Sequence, residues 1–341
     1  MEKEYNMGLA VLRMLMCFMV VLCHCWYAEN IAGGIMQFFI WMRSFAVPVF
    51  MMMSFIFTGP LLEEHNAKKI KKRIERLFVP QIGWAVIYWC IYKIIDMLYG
   101  LDLENGITDL FWQIFFGHSQ NLNVTMWYQV DLIYITILFL SVILIFKRSY
   151  IPVLYFIGAV ALVLQYSGIN MFFNNSRFEV KYSSGRFMEM LPVAVIGFMI
   201  ARDGTLEKTR RHKYLAVSIS IFTIFMVNRY NVFIDIQGYG YSGIKCIAVA
   251  AAFIILFYFL PLNRLSGRYK KVLIKITSYT MGIYCMHQLV YRLINLIISV
   301  YSLDIRTGTF SGCIFIYIIC FICAYLGHMF LGQTKLKSLF N

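Results

Sequence analysis

Long runs of apolar residues follow one another along almost the whole chain, separated by short polar segments. A helix needs about 20 apolar residues to cross the hydrocarbon core of a bilayer, and ten windows approach that length. They cover residues 8–27, 36–60, 78–99, 124–146, 150–167, 188–201, 213–230, 243–262, 276–300 and 308–333. The pattern predicts an all-α integral membrane protein with about ten transmembrane helices.

Composition and charge agree with this prediction and indicate an orientation. The 341 residues are 60% hydrophobic and 14% charged, with a mean hydropathy of +0.69, which is far too apolar for a water-soluble domain. Most of the 31 basic residues lie in segments that share one side of the membrane, so the positive-inside rule places both termini in the cytoplasm. The net charge of +14 therefore orients the helices, and no nucleic-acid partner is predicted.

The chain is predicted to form one membrane domain over residues 1–341, because no linker or low-complexity tract divides it. The segment DLFWQIFFGHS (109–119) is amphipathic and is expected to form a short helix in the outer interface, or equally a lid over a cavity. All nine cysteines lie within apolar windows, which indicates packing rather than disulfide bonds. The six histidines show no ligand spacing, so no metal site is predicted.

The first window contains two ionisable residues that lipid disfavours, Arg13 and His24. Their separation of eleven residues is about three helical turns, so the two side chains lie on one face, about 16 Å apart along the axis. With a cytoplasmic N-terminus, Arg13 lies in the inner half and His24 near the outer end. This arrangement favours a cavity that receives an anionic ligand from the cytoplasm and delivers it outward.

Helix direction places further polar side chains at the depth of His24. They are Arg43, Trp127, Asp131, Arg186 and Glu189. Asp131 or Glu189 would hold the His24 imidazole in the tautomer that general-base catalysis needs, as a carboxylate does in hydrolase triads. Equally, both carboxylates would pair with Arg43 and Arg186 as structural ions. The sequence leaves the two interpretations open.

Arg73 and Arg76 lie one turn apart in the basic run KKIKKRIER (68–76), where the third window enters the membrane. Two arginines on one helix face form a clamp that suits phosphate groups. The alternative is a juxtamembrane basic segment that is attracted to anionic lipid. Arginine is the better bidentate ligand for phosphate, which favours the clamp for these two residues.

Several short motifs follow one another along the chain: R-x10-H (13–24), VPVFMMMSF (47–55), R-x-x-R (73–76), Trp127 and SYTMGIYCMHQLV (278–290). In this order they resemble the motifs of the acyltransferase-3 family of bacterial surface-carbohydrate O-acyltransferases. The family has VPxFFxxSG in its second helix, a tryptophan in its fourth and S-x-G-I-Y-x-x-H in its ninth. The likeness covers nearly the whole chain. Two departures are Phe55, where the family has glycine, and the absence of an acidic pair after the tryptophan, for which Asp131 is the nearest carboxylate.

The resemblance implies transfer of an acyl group, usually acetyl, from cytoplasmic acyl-CoA to a hydroxyl group of a glycan or lipid-linked glycan at the outer face of the bacterial cytoplasmic membrane. It implies that His24 is the catalytic histidine and Arg13 its partner along the acyl-CoA path, with Arg73 and Arg76 at the donor entrance. Direct transfer is favoured, because Cys23 and Cys25 point to other helix faces. Supporting roles are expected for Arg43, Trp127, Asp131, Arg186, Glu189, Ser278 and His287.

A different class of function is a small-solute transporter, or an acyl-group exporter without transferase chemistry of its own. Ten helices with a few intramembrane ions suit both. No inverted repeat of helices broken by glycine or proline is visible in the sequence, which counts against a transporter. An unrelated acyltransferase is disfavoured because the H-x4-D signature and a G-x-S-x-G elbow are absent.

Overall fold

The computed structural model describes residues 6–25, 34–100, 106–119, 122–166, 178–230 and 243–340. Every regular element in these ranges is a helix. The α-helices are α1 (Met7–Cys25), α2 (Gly34–Arg43), α3 (Ala46–Glu63), α4 (Ala67–Tyr99), α5 (Ile107–Phe116), α6 (Trp127–Phe146), α7 (Tyr150–Tyr166), α8 (Phe178–Arg202), α9 (Thr205–Lys208), α10 (Lys213–Tyr230), α11 (Gly243–Tyr258), α12 (Gly267–Ser278), α13 (Thr280–Val300) and α14 (Phe310–Leu331).

Seven helical stretches in the described ranges are long and apolar enough to cross a membrane. They are Met7–Cys25, Ala46–Glu63, Ala67–Tyr99, Trp127–Tyr166, Ser184–Arg202, Thr280–Val300 and Phe310–Leu331. The prediction of an all-helical membrane protein is thereby confirmed for this part of the chain. The stretch Trp127–Tyr166 joins α6 and α7 through a 3₁₀ turn, so it contains two of the predicted windows. Ten crossings and two cytoplasmic termini stay predictions.

The second predicted window, 36–60, is divided into two helices. α2 ends at Arg43, and a tight turn of two residues separates it from α3. Pro48 lies in the first turn of α3, where its missing N–H would have no helical acceptor and therefore costs little. The break places Arg43 beside the end of α1, where its Nη1 donates to the Leu22 carbonyl oxygen at 3.4 Å.

α4 begins eleven residues before the predicted window 78–99. The side chain of Asn66 caps its first turn by accepting a hydrogen bond from a backbone N–H at 3.1 Å. The basic run 68–76 is therefore continuous with the apolar helix that follows it. This continuity holds Arg73 and Arg76 on a rigid element rather than on a loop.

α5 is the short helix predicted around residues 109–119, and its polar side faces the bundle. Phe111 is 50% exposed, whereas Gln113 is fully buried. Gln81 of α4 donates to the Gln113 carbonyl oxygen at 2.8 Å, and Arg292 of α13 donates to the Leu122 carbonyl oxygen at the same distance. Irregular backbone within a membrane protein is tolerated where the protein supplies such partners.

α1 lies at the centre of the fold, in contact with α2, α3, α11, α12, α13 and α14. α3 and α8 pack closely against each other. A Cβ atom added to Gly197 of α8 would lie 2.4 Å from the Met52 carbonyl oxygen of α3. The absence of a side chain at Gly197 therefore allows the two backbones to touch, as small residues do between membrane helices.

Replacing Gly197 with alanine is expected to force α3 and α8 apart, because overpacking a well-packed contact costs about 1–3 kcal/mol. The melting temperature of the purified protein in detergent should fall. Gly267→Ala is the matched control, since an added Cβ at Gly267 meets no atom within 4 Å. Equal melting temperatures for Gly197→Ala and the wild type would contradict the close contact.

Candidate active site

Three arginines from two helices gather in one region. Arg73 of α4 lies within electrostatic range of Arg76 on the same helix and of Arg13 on α1. Arg76 is exposed and Arg73 is half-buried. The Nε atom of Arg73 is fully buried and makes no hydrogen bond to any residue that the structure describes. The two predicted arginine motifs therefore meet, and they concentrate positive charge where an anionic ligand would bind.

Tyr128 of α6 adjoins the arginines. It lies within electrostatic range of Arg73 and Arg13, and its hydroxyl oxygen is 3.2 Å from the Ser54 Oγ atom of α3. Neither Tyr128 nor Ser54 is predicted as a site residue from the sequence. The only signal is proximity to the motifs, since Ser54 belongs to VPVFMMMSF and Tyr128 directly follows Trp127.

His24 and His287 face each other where α1 contacts α13. Their ring centres are 5.4 Å apart, and the ring planes are inclined by 41°. His287 is fully buried, whereas His24 is half-buried. Arg43 of α2 and Arg186 of α8 lie within electrostatic range of His24. Four helices thus bring one predicted catalytic residue together with three predicted supporting residues.

Tyr284 of α13 connects the histidines with the arginines. Its ring centre is 5.7 Å from that of Tyr128 and 6.1 Å from that of His287. Its hydroxyl donates to the Thr125 carbonyl oxygen. The side chains of Tyr128, Tyr284 and His287 therefore form a continuous row between the two groups. Tyr284 is not predicted from the sequence, although it lies one turn before His287 in the same motif.

The two predicted carboxylates have different surroundings. Glu189 pairs with Arg186 at 2.7 Å, and the Arg186 guanidinium lies 5.3 Å from the centre of the Trp127 ring. Asp131 is fully buried, and neither carboxylate oxygen hydrogen-bonds to a described residue. In the described ranges, neither carboxylate bonds to His24. For Glu189 the geometry agrees with the interpretation as a structural ion pair.

Ser278 forms a hydrogen bond within its own helix. It is the last residue of α12, and its Oγ atom donates to the Lys275 carbonyl oxygen at 2.7 Å, one turn earlier. The helix break before α13 separates it from the helix that carries His287. A supporting role for Ser278 stays a prediction.

Comparison with known proteins agrees with the motifs. A family model described as an acyltransferase domain matches residues 6–328, which is most of the chain and includes every residue of this site. No curated protein and no solved structure matches significantly.

The Arg186–Glu189 pair is expected to be important for stability, because Glu189 is only 3% exposed. Removing one partner of a buried pair costs about 3–5 kcal/mol, since the other charge is left buried. Arg186→Ala should therefore lower the melting temperature in detergent. Adding Glu189→Gln should raise it again, because the remaining charge is removed.

Lys71→Ala is the control for this experiment. Lys71 pairs with Glu75 at 4.0 Å on the exposed side of α4, and exposed pairs contribute only about 0–1 kcal/mol. If Arg186→Ala melted at the same temperature with and without Glu189→Gln, the buried charge would not be the cause of the loss.

Proposed function

The chain belongs to the acyltransferase-3 family, and we propose that it is a membrane O-acyltransferase. Its donor is cytoplasmic acyl-CoA, specifically acetyl-CoA, and its acceptor is a hydroxyl group of a cell-surface glycan or lipid-linked glycan. The protein acts in the bacterial cytoplasmic membrane. The observation that carries the proposal is the row of side chains between the three arginines and His24.

The arginines suit the phosphate groups of CoA. A planar guanidinium binds phosphate oxygens through two parallel hydrogen bonds. Arg76 is exposed, Arg73 is half-buried and the Nε atom of Arg73 is fully buried. An anionic ligand that enters from solvent would therefore meet Arg76 first and Arg73 next. Attraction to anionic lipid explains the exposed lysines of the run 68–76. It does not explain why an arginine nitrogen is buried in the bundle.

The row of side chains gives the pantetheine arm of CoA a route toward His24. Arg13 and His24 lie about 16 Å apart along α1. With its phosphates at the arginines, CoA would extend past Tyr128 and Tyr284 and present its thioester to the histidines. Binding in this way places donor and acceptor in one reactive geometry, which removes much of the entropic barrier to their reaction.

His24 acts as the general base in this mechanism. It takes the proton of the acceptor hydroxyl while the hydroxyl oxygen attacks the thioester carbonyl carbon. A C–O bond forms and the C–S bond breaks. The proton then passes to the leaving thiolate, so the products are an O-acyl ester and CoA with a free thiol.

Arg43 and Arg186 lie within electrostatic range of His24 and have a role in the same step. Positive charge fixed beside the base stabilises the oxyanion that develops on the thioester carbonyl oxygen. Direct transfer needs no enzyme nucleophile. Cys25 is fully buried and Cys23 lies on another face of α1 than His24, which agrees with direct transfer.

His24→Ala is expected to lower acylation of the surface glycan by about 10²–10⁴-fold, the usual contribution of a general base. The measurement is mass spectrometry of glycan from cells that carry each variant. His212→Ala is the control, because His212 is exposed in the 3₁₀ turn Thr209–His212. Acylation at the wild-type level together with reduced solute uptake would refute the transferase and favour a transporter.

Arg73→Ala combined with Arg76→Ala should weaken the binding of acetyl-CoA to the purified protein. Hydrogen bonds to charged groups contribute about 1.5–3 kcal/mol each, so a loss of at least about tenfold in affinity is expected by titration calorimetry. The control is Lys68→Ala with Lys71→Ala, which removes two exposed charges from the same helix. Unchanged affinity in the arginine variant would show that these arginines do not bind the donor and serve only to orient the helix in the membrane.

A further inference from the structure

His287 is held in one tautomer by its own helix. Its Nδ1 atom lies 2.6 Å from the Tyr284 carbonyl oxygen. A carbonyl oxygen only accepts hydrogen bonds, so Nδ1 carries the proton and Nε2 has a free lone pair. The Nε2 atom is buried and makes no hydrogen bond to any residue in the described ranges. An acceptor is therefore available on the ring that faces His24.

A tyrosine of α4 forms hydrogen bonds with the backbone on both sides of His287. The Tyr88 hydroxyl donates to the Cys285 carbonyl oxygen at 3.0 Å and accepts from the Leu289 N–H at 2.9 Å. In a regular helix these two backbone groups would bond to each other across His287. The Tyr88 hydroxyl contacts both groups from outside the helix. These two hydrogen bonds fix the backbone that carries the imidazole, as a preorganised site requires.

His24 needs an acceptor for one ring N–H if its other nitrogen is to act as a base. Among the described residues, three ionisable side chains lie within electrostatic range of His24. Two of them, Arg43 and Arg186, have donors only and cannot accept. The third is His287, whose Nε2 atom has the required lone pair.

The distance between the rings allows this contact. The ring centres are 5.4 Å apart, and the terminal torsion of histidine is broad, so rotation of the His24 ring costs little. A ring-centre separation of 5.4 Å leaves hydrogen-bond distance between a His24 nitrogen and Nε2 of His287 when both nitrogens point along the line that joins the rings.

We propose that His287 is a positioning residue whose Nε2 atom accepts a hydrogen bond from His24, which leaves the other His24 nitrogen free to take the proton of the acceptor hydroxyl. The Tyr284 carbonyl, His287 and His24 form a hydrogen-bonded chain. In this chain a neutral imidazole takes the place that a carboxylate has in a hydrolase triad. A neutral partner avoids the cost of burying a further charge. The inference rests on the proposed role of His24 as the base.

The first test is kinetic and uses membrane vesicles that contain the natural acceptor, with acetyl-CoA as donor and release of the CoA thiol as the signal. His287→Leu should lower kcat by about 10²–10⁴-fold, because the base loses its orientation. The KM for acetyl-CoA should not change. His287→Gln, whose Oε1 atom can still accept from His24, should retain more activity than His287→Leu.

His328→Leu is the matched control. It makes the same chemical change at a half-buried histidine of α14, whose ring packs against Tyr279 with the ring centres 5.6 Å apart. This variant should behave as the wild type. Equal losses in His287→Leu and His287→Gln, or a change confined to KM, would overturn the positioning role.

The second test needs no turnover. In ¹⁵N NMR spectra of histidine-labelled protein without substrate, His24 should show one protonated and one bare nitrogen, assigned by difference from His24→Ala. In His287→Leu the two tautomers should mix. Mixed tautomers in the wild type would overturn the inference. Full activity of His24→Ala would instead overturn the proposed function, so the two failures are distinguishable.

Discussion

Lipid offers neither hydrogen bonds nor water to a charged side chain, so each ionisable group within the helices has to be accommodated by the protein. Glu189 pairs with Arg186 at 2.7 Å, Arg43 donates to a carbonyl oxygen of α1, and His287 bonds to a carbonyl oxygen of its own helix. These contacts draw polar side chains from α1, α2, α8 and α13 into one region. The candidate active site is a consequence of this constraint.

Helix packing keeps that region in place. Membrane helices gain little from hydrophobic association, so close backbone contact and hydrogen bonds between helices fix their arrangement. The touching backbones of α3 and α8 at Gly197 and the Tyr88 hydroxyl on α13 are two such contacts. They hold an arginine group and a histidine pair at separate positions, joined by Tyr128 and Tyr284. The proposed acyl transfer from a long anionic donor needs such a separation between the arginines and the proposed base.

The sequence predicts the local features of this molecule well. Every predicted apolar window contains a helix, and Arg13 and His24 share α1 as their spacing indicates. The order of the motifs also identifies the family correctly, because each motif is a short local pattern. Boundaries are predicted less well. The tight turn after Arg43 and the early start of α4 depend on contacts and caps that hydropathy does not contain.

Partners across helices were decided only by the tertiary structure. The sequence offers Asp131 and Glu189 either as residues that orient His24 or as ion-pair partners of Arg43 and Arg186. Glu189 pairs with Arg186 one turn earlier on α8, and the ring that faces His24 is that of His287 on α13. Helical periodicity shows which residues share a face of one helix, but it carries no information about which face of another helix will meet it. The sequence by itself therefore determined the helices, the family and the two ends of the site. The packing of α1 against α13 decided which side chain faces the proposed base, because that contact joins segments at opposite ends of the chain.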